Sequence, residues 1–203
     1  LVVGVGKNSY VGEKIAATLT STGSPAIALN SMNALHGDLG IVQDGDTVLA
    51  LSYSGETEEL VKLMAALKRF ELTTIAITGR RESTLAKYSD IILDVRVEKE
   101  ACPLELAPTS STTNTLVLGD ALAMVLLDAR GFRKEDFAKF HPGGNLGKQL
   151  LTKASDMMRP MDQTVIVGPQ DSIRTVIGKW SQRKVGAAIV MEPETKKLKG
   201  IFT

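Results

Sequence analysis

A lysine follows the first predicted strand of the chain, in a turn suited to binding a phosphate. Lys7 comes after Gly4 and Gly6, directly behind an apolar run. A lysine at the carboxyl end of a strand can meet a phosphate group or a developing oxyanion. This turn lacks the full glycine spacing of a dinucleotide fingerprint or a Walker loop, and tight strand-to-helix packing explains its glycines equally well.

A second turn places three hydroxyl residues between a predicted strand and a predicted helix, within Ser52–Thr57. Hydroxyls and free N–H groups at a helix N-terminus suit a phosphate monoester, and N-capping by Ser54 or Thr57 is the simpler alternative. Carboxylates in the same first turn complement the helix dipole but repel a phosphate unless they point elsewhere. Three are present here: Glu56, Glu58 and Glu59.

Further candidates for proton transfer and binding lie in loops. The two histidines, His36 and His141, both occur in glycine-flanked turns, where a histidine is often only a hydrogen-bonded surface group. Neither has a second His or Cys at a metal-ligand spacing. Glu100 precedes a hydroxyl run within Pro108–Thr113. The simpler alternative for Glu100 is a solvated carboxylate in a loop, and the simpler alternative for the hydroxyl run is a capped helix start.

Composition excludes several classes of function. The 203 residues include 24 basic and 23 acidic side chains, a balance that argues against nucleic-acid binding and against binding to an anionic membrane. A single cysteine, Cys102, rules out an intrachain disulfide and predicts a reducing, cytoplasmic compartment. No apolar run approaches the roughly 20 residues of a membrane-spanning helix. The chain begins at Leu1 inside a strand-like run, so we expect a fragment.

These candidates must be positioned by alternating strands and helices. Continuously apolar strands joined by helical crossovers predict a doubly wound α/β domain, an αβα sandwich built on a parallel sheet. The expected helices are Glu13–Leu19, Glu56–Arg69 and Thr112–Arg130. The expected strands are Leu1–Val5, Ala26–Leu29, Thr47–Leu51, Thr73–Thr78 and Ile91–Val95.

The pattern changes after residue 152. Residues 153–203 are predicted to form a partial α+β module. Its elements are the strands Val165–Val167, Ala187–Met191 and Leu198–Phe202 and the helix Ser172–Arg183. In the first domain, Thr112–Arg130 is apolar nearly all round, which predicts burial inside the domain or between subunits.

Taken in order, these motifs resemble the arabinose-5-phosphate isomerases, which are sugar-isomerase (SIS) domain enzymes. The resemblance rests on Gly4–Lys7, Ala34–Gly40, Ser52–Thr57, Glu100–Pro103, Ala107–Thr113 and His141–Leu146, and it covers residues 1–152. Residues 153–203 resemble the start of a CBS module. The arabinose-5-phosphate isomerases interconvert D-ribulose 5-phosphate and D-arabinose 5-phosphate. This reaction is the entry to 3-deoxy-D-manno-octulosonate for lipopolysaccharide or capsule.

The resemblance also implies roles for individual residues. Catalytic positions fall on Lys7, Glu59, Glu100 and His141, and His36 falls at a further active-site histidine. Substrate contacts fall on Gly23, Ser24, Ser52, Ser54, Thr57, Thr109, Ser110, Ser111 and Thr112. Asn30 stands where many members have a histidine that joins the residue at the His36 position in binding zinc. We therefore predict no metal and no other cofactor.

The residue types suit aldose–ketose isomerisation. The reaction needs a base that moves a proton between C1 and C2, a group that serves the oxygens, and a cation for the enediolate. We expect Glu100 or Glu59 to be the base and Lys7 to be the cation. We expect His141 to open the sugar ring or to move protons between the substrate oxygens. The resemblance further implies a homotetramer with shared active sites, and a nucleotide or nucleotide-sugar effector at the CBS region.

Two alternatives stay open. A sugar-phosphate-sensing regulator would keep the serine-rich turn without needing the lysine, the carboxylates and the histidines. An isomerase of another phosphosugar would share the chemistry and differ in pocket length. All the proton-transfer candidates are present and no helix-turn-helix accompanies them, which favours the enzyme.

Overall fold

A computed structural model describes residues 1–183 and 185–203, which form two compact units, Leu1–Leu150 and Leu151–Thr203. The first unit is built on a parallel sheet of five strands in the order β2-β1-β3-β4-β5. The strands are β1 (Val2–Gly4), β2 (Ala28–Asn30), β3 (Thr47–Leu51), β4 (Thr73–Thr78) and β5 (Ile91–Asp94). The predicted parallel α/β fold is confirmed.

Helices connect and cover these strands. They are α1 (Lys7–Ser21), α2 (Ser31–Leu35), α3 (Glu58–Leu67), α4 (Thr84–Tyr88), α5 (Ser110–Ala129), α6 (Lys134–Phe140) and α7 (Asn145–Leu151), with a short 3-10 turn at Asp38–Ile41. α1 begins six residues before its predicted start at Glu13. Its first two turns are polar on most sides, so hydrophobic spacing does not reveal them.

The sheet is buried on both faces, which explains why its strands have no alternation of apolar and polar residues. On one face Val3, Val48 and Ala50 pack under α2, α3 and α4. On the other face Val2 and Leu49 pack under α1 and α5. The buried residues of α3 recur at helical spacing on the side that covers the sheet: Leu60, Leu63, Met64 and Leu67.

Helix α5 is the longest of the described helices and has the composition of a membrane span by length and hydropathy alone. One face is buried, where Gly119 lies against Ile15 and α5 packs on α1. Lys14 and Asp120 join the two helices by an ion pair of 2.5 Å. On the opposite face Val117 is 60% exposed and Val125 is 64% exposed. Complete burial of this helix inside its own domain is therefore wrong.

The second unit contains α8 (Ala154–Met157), β6 (Val165–Val167), α9 (Ile173–Arg183), β7 (Ala188–Met191) and β8 (Leu198–Phe202). β6 pairs with β7 in parallel and β7 pairs with β8 antiparallel. Val176 of α9 is buried on the sheet, and Trp180 contacts Phe202 with ring centroids 5.3 Å apart. The predicted elements of this unit are confirmed, and its identity as the start of a CBS module stays a prediction.

Candidate active site

The candidate site is a cavity at the carboxyl edge of the first sheet. In the sheet, β2 lies on one side of β1 and β3 lies on the other, so the direction in which successive strands are added reverses after β2. Doubly wound proteins bind ligands in the crevice that opens at such a reversal. The cavity has a volume of about 440 Å³. Seven predicted site residues line it: Lys7, Ser52, Ser54, Thr57, Glu100, Ser111 and Thr112. They come from the segments that follow β1, β3 and β5.

The turn after β3 presents hydroxyls at the start of α3. Ser52 is buried, its Oγ lies 3.0 Å from Thr57 Oγ1, and it accepts the Gly55 N–H at 3.1 Å. Ser54 Oγ accepts the Glu56 N–H at 3.3 Å. Thr57 occupies the N-cap position of α3, and its side chain makes no cap hydrogen bond within the described chain. The first N–H groups of α3 are therefore left for a ligand.

The three glutamates near this turn differ in their contacts. Glu56 Oε1 accepts the Thr84 N–H at 2.8 Å, so this carboxylate points to α4. Glu58 pairs with Lys62 on its own helix at 2.6 Å. The hydrogen bond to Thr84 lowers the pKa of Glu56, and that to Lys62 lowers the pKa of Glu58. Glu59, predicted to be catalytic, is half-buried at the start of α3 and is not among the residues found to line the cavity of this chain.

Glu100 reaches the cavity from the segment after β5, with one carboxylate oxygen already engaged. Its Oε2 accepts the Thr109 N–H at 2.8 Å, the Thr109 hydroxyl at 3.0 Å and the Ser111 N–H at 3.2 Å. This carboxylate therefore caps the N-terminus of α5, where the helix dipole also favours negative charge. Its other oxygen, Oε1, accepts none of these three hydrogen bonds.

The same contacts control the protonation of Glu100. Partial burial acts to raise its pKa, but side-chain and backbone hydrogen bonds from Ser111 and Thr109 outweigh it and lower the pKa to about 2. Hydrogen bonds to the charged form stabilise that form. Glu100 is consequently an anion at every pH near neutrality.

Lys7 supplies the positive charge of the cavity. It is the first residue of α1, is exposed, and forms no ion pair with any residue in the described part of the chain. An unpaired ammonium that shares a small cavity with a carboxylate and several hydroxyls can bind an anionic group or stabilise an oxyanion.

His141 lies outside this cavity in its own chain. It ends α6, and its ring stacks on Phe137 with centroids 3.8 Å apart. His141 Nδ1 lies 2.9 Å from the Phe137 carbonyl oxygen, which can only accept, so Nδ1 donates. The neutral ring then keeps its lone pair on Nε2. A Cβ at Gly147 would clash with the His141 carbonyl, so glycine permits the close turn that follows.

Two predicted substrate contacts lie at the other edge of the sheet. Gly23 and Ser24 follow α1 and precede β2, and Ser24 shares a cavity with Leu1 and Thr47 at the amino ends of β1 and β3. Gly23 has φ 93°, and a Cβ there would collide with Phe132. These residues therefore lie away from the cavity of the same chain, because the connection from a helix to a parallel strand returns to the amino edge, and their contact with a substrate stays a prediction.

His36 is exposed at the end of α2 and does not reach the cavity lining in the described structure. Asn30 caps the same helix, since its Oδ1 accepts the N–H groups of Met32 at 3.0 Å and Asn33 at 3.1 Å. Within residues 1–183 and 185–203, no group of three or more His, Cys, Asp or Glu side chains could hold a metal ion. Metal independence stays a prediction.

The hydroxyl residues at the start of α5 occupy two kinds of position, inside the cavity lining and outside it. Ser111 and Thr112 line the cavity. Thr109 and Ser110 do not appear among the described lining residues, and the Thr109 hydroxyl is bound to Glu100 instead. Thr109 and Ser110 therefore lie behind the wall of the cavity in this chain, and their contact with a substrate stays a prediction.

Sequence reasoning missed part of the wall. Glu105 and Leu106 line the cavity from the loop between β5 and α5, where Glu105 adopts a left-handed φ of 55°. This loop has no hydrophobic periodicity, and no local signal marks it. Tyr53 could have been noticed, because an aromatic residue stands between two site serines. Its OH lies 3.3 Å from the Val97 N–H.

Comparison with known proteins gives the family. The model of the SIS domain matches residues 1–125. The chain belongs to the SIS domain family. The resemblance predicted from the order of the motifs is therefore confirmed.

Curated relatives extend the similarity over the whole chain. Arabinose 5-phosphate isomerase KdsD of Pseudomonas aeruginosa is 50% identical over 203 residues, which are 100% of this chain and 62% of that protein. KdsD of Escherichia coli K12 is 47% identical over the same lengths. The chain spans less than two thirds of these curated relatives. A structure of an E. coli CFT073 protein in complex with arabinose 5-phosphate has a TM-score of 0.68 and 40% identity, covering 70% of this chain and 75% of that one.

Proposed function

We propose that the protein containing this chain is an aldose–ketose isomerase that interconverts D-ribulose 5-phosphate and D-arabinose 5-phosphate. The observation that supports this most directly is the cavity at the reversal of strand order, which combines a free lysine, an ionised carboxylate and several hydroxyls. The name of the 50% identical relative, arabinose 5-phosphate isomerase, supports the choice of substrate.

The substrate phosphate binds at the turn after β3. Ser54 and Thr57 line the cavity there, and the N–H groups at the start of α3 favour an anion. Two of the three nearby carboxylates are engaged away from the cavity, which removes most of the repulsion that the sequence implies. Phosphate binding at this end directs the sugar carbons toward the segments after β1 and β5.

Isomerisation then passes through an enediol. Glu100 Oε1 removes a proton from C1 of the ketose and returns it to C2, giving the aldose, and Lys7 stabilises the negative charge on the enediolate oxygen. A carboxylate with a pKa of about 2 is a weak base. Binding of a phosphate dianion and loss of water both raise that pKa in the complex. Glu59 is the alternative base.

His141 serves the active site of a neighbouring subunit, where Nε2 opens the ring of the cyclic aldose or moves protons between O1 and O2. Its hydrogen bond to Phe137 supports this role, because it leaves Nε2 as the free acceptor. The exposed apolar face of α5, with Val117 and Val125, supports a homo-oligomer. We propose a homotetramer.

The wider setting is proposed from the same resemblance. The enzyme acts in the cytoplasm and feeds 3-deoxy-D-manno-octulosonate synthesis for lipopolysaccharide or capsule. Residues 153–203 begin a CBS module that binds a nucleotide or nucleotide-sugar effector.

A substrate panel tests the proposed reaction. The full-length protein is incubated with ribulose 5-phosphate and with other ketose phosphates, and the aldose product is measured with and without a chelator. We expect arabinose 5-phosphate to form at the same rate in both conditions. Binding without turnover would identify a sensor, preference for a hexulose 6-phosphate would identify another isomerase, and loss of activity restored by a divalent metal would contradict metal independence.

Mixed oligomers test the sharing of the site. Full-length His141→Ala and Lys7→Ala proteins are each expected to be inactive. If the site is shared, hybrids regenerate some intact cavities and recover part of the activity. Hybrids that form and stay inactive would show that His141 acts within its own chain.

A further inference from the structure

Thr109 makes more polar contacts than a helix cap requires. Its hydroxyl donates to Glu100 Oε2 at 3.0 Å and accepts the N–H groups of Ala101 at 2.9 Å and Cys102 at 3.3 Å. Thr109 holds the N-cap position of α5, yet its side chain caps no N–H group of that helix. The hydroxyl therefore ties the carboxylate to the start of the loop that lines the cavity.

These contacts make the two oxygens of Glu100 unequal. The Thr109 N–H, the Thr109 hydroxyl and the Ser111 N–H all converge on Oε2. A carboxylate held by three donors on one oxygen cannot rotate freely, so the position of Oε1 in the cavity is determined by groups that lie behind the wall.

We propose that Thr109 is a positioning residue that acts through Glu100: its hydroxyl fixes the carboxylate so that Oε2 is held by its own loop and Oε1 faces the substrate. The inference rests on the proposed isomerase function, in which Glu100 is the base. It differs from the role implied by resemblance, in which Thr109 touches the substrate itself.

Other charged or titratable groups surround Glu100, two on other elements and two on its own loop. Lys7 reaches the same cavity from the start of α1, Tyr53 from the turn after β3, and Glu105 from the loop after β5. Cys102 lies in that loop, and backbone N–H groups of Ala107, Leu104, Leu106 and Glu105 lower its pKa. Lys7 and Tyr53 lie on other elements and have no hydrogen bond to Thr109 in the described structure, so a change at Thr109 acts on Glu100 through the lost hydroxyl and through the loop that the hydroxyl holds.

The test compares two substitutions in the full-length protein. Thr109→Val keeps the branched shape and removes the hydroxyl, whereas Thr109→Ser keeps the hydroxyl. Thr115→Val is a matched control, because Thr115 is a buried threonine on the same helix whose hydroxyl donates to the Ser111 carbonyl at 2.9 Å. Each protein is measured for kcat, for KM, for the pH profile of kcat/KM, and for deuterium exchange at Ala101 and Cys102.

We expect Thr109→Val to lower kcat by about 10- to 100-fold, the scale of a misplaced catalytic group, with KM changed less than about twofold. The acid limb of kcat/KM should move to higher pH, because Glu100 loses a donor to its charged form. Exchange at Ala101 and Cys102 should accelerate. Thr109→Ser and Thr115→Val should resemble the wild type in kcat, KM and pH profile.

Three results would overturn the inference. One is a Thr109→Val protein with a raised KM and an unchanged pH profile, which would indicate direct contact with the substrate. Another is unchanged exchange at Ala101 and Cys102 in that variant. The third is a Thr109→Ser protein that loses activity, a result that remains decisive if Thr109→Val fails to fold. A wild-type protein without turnover would instead contradict the proposed function. The exchange measurement would still test whether the Thr109 hydroxyl holds the N–H groups of Ala101 and Cys102.

Discussion

Two strand-to-helix connections of this molecule contain the same ingredients and use them in opposite ways. The turn after β3 and the loop after β5 each combine serine, threonine and glutamate at the start of a helix. In the first, Glu56 is drawn to Thr84 and the start of α3 has no side-chain cap from Thr57. In the second, the Glu100 carboxylate itself occupies the start of α5.

The comparison shows that the partners of a carboxylate decide what a helix N-terminus can bind. A helix start whose glutamates are held elsewhere can accept an external anion. A helix start capped by its own glutamate holds that glutamate in place and keeps it ionised. The first connection is therefore suited to an external anion, such as the phosphate of the proposed substrate, and the second holds a carboxylate that is already ionised.

The largest expected effect is on turnover, from changes at the second connection and at Lys7. Lys7→Ala and Glu100→Gln should each lower kcat by roughly 10²-fold or more, the scale of losing an oxyanion-stabilising group or a base. Their circular dichroism spectra should match the wild type, because neither side chain fills the core. Near-normal turnover in Glu100→Gln together with inactive Glu59→Gln would assign the base to Glu59.

A smaller effect is expected at the first connection. Ser54→Ala should raise KM by about tenfold with little change in kcat, since phosphate binding is largely shared by the ground and transition states. Inhibition by inorganic phosphate should weaken in parallel. If KM and phosphate affinity both stay unchanged, Ser54 is only a partner of the Glu56 N–H.

The pH dependence of stability separates the two connections further. Glu100 has a folded pKa of about 2 against an ordinary value of 4.5, so its contribution to stability is complete above pH 4.5 and is lost as pH falls toward 2. Because the group is partly exposed, we expect on the order of 1 kcal/mol. Urea unfolding of Glu100→Gln at pH 7 and pH 3 should show a smaller difference than the wild type. If the free energy of unfolding falls by the same amount between pH 7 and pH 3 in both proteins, the lowered pKa of Glu100 is contradicted.

The smallest effect concerns Glu56. Because its carboxylate points to the Thr84 N–H, Glu56→Ala should slightly lower the midpoint of thermal unfolding and leave KM unchanged. A carboxylate that faced the phosphate would behave differently, since its removal would strengthen substrate binding. A fall in KM in this variant would therefore contradict the geometry of the first connection.

The sequence predicts the sheet well because its strands are short apolar runs separated by clear helical periodicity, as in Thr47–Leu51 and Thr73–Thr78. It also locates Lys7, Ser54 and Glu100 correctly at one edge, since the carboxyl ends of parallel strands meet there. The sequence does not show that Gly23 and Ser24 lie at the opposite, amino edge, because a motif match does not reveal that this segment has returned there. The hydrogen bonds between Thr109 and Glu100 depend on loop geometry that no periodicity encodes.

The strand order has a consequence for how the chain assembles during synthesis. β1 lies inside the sheet, between β2 and β3, and each later strand adds to an edge of the sheet that is already made. The sheet can therefore extend outward in the order of translation, with each new strand finding its neighbour in place. Helix α5 is made after the last strand of this sheet; it helps α1 to cover the face formed by β1, β3 and β4, and it brings Ser111 to the cavity. Until α5 is made, part of that apolar face is uncovered, and exposed apolar surface on an incomplete chain favours aggregation.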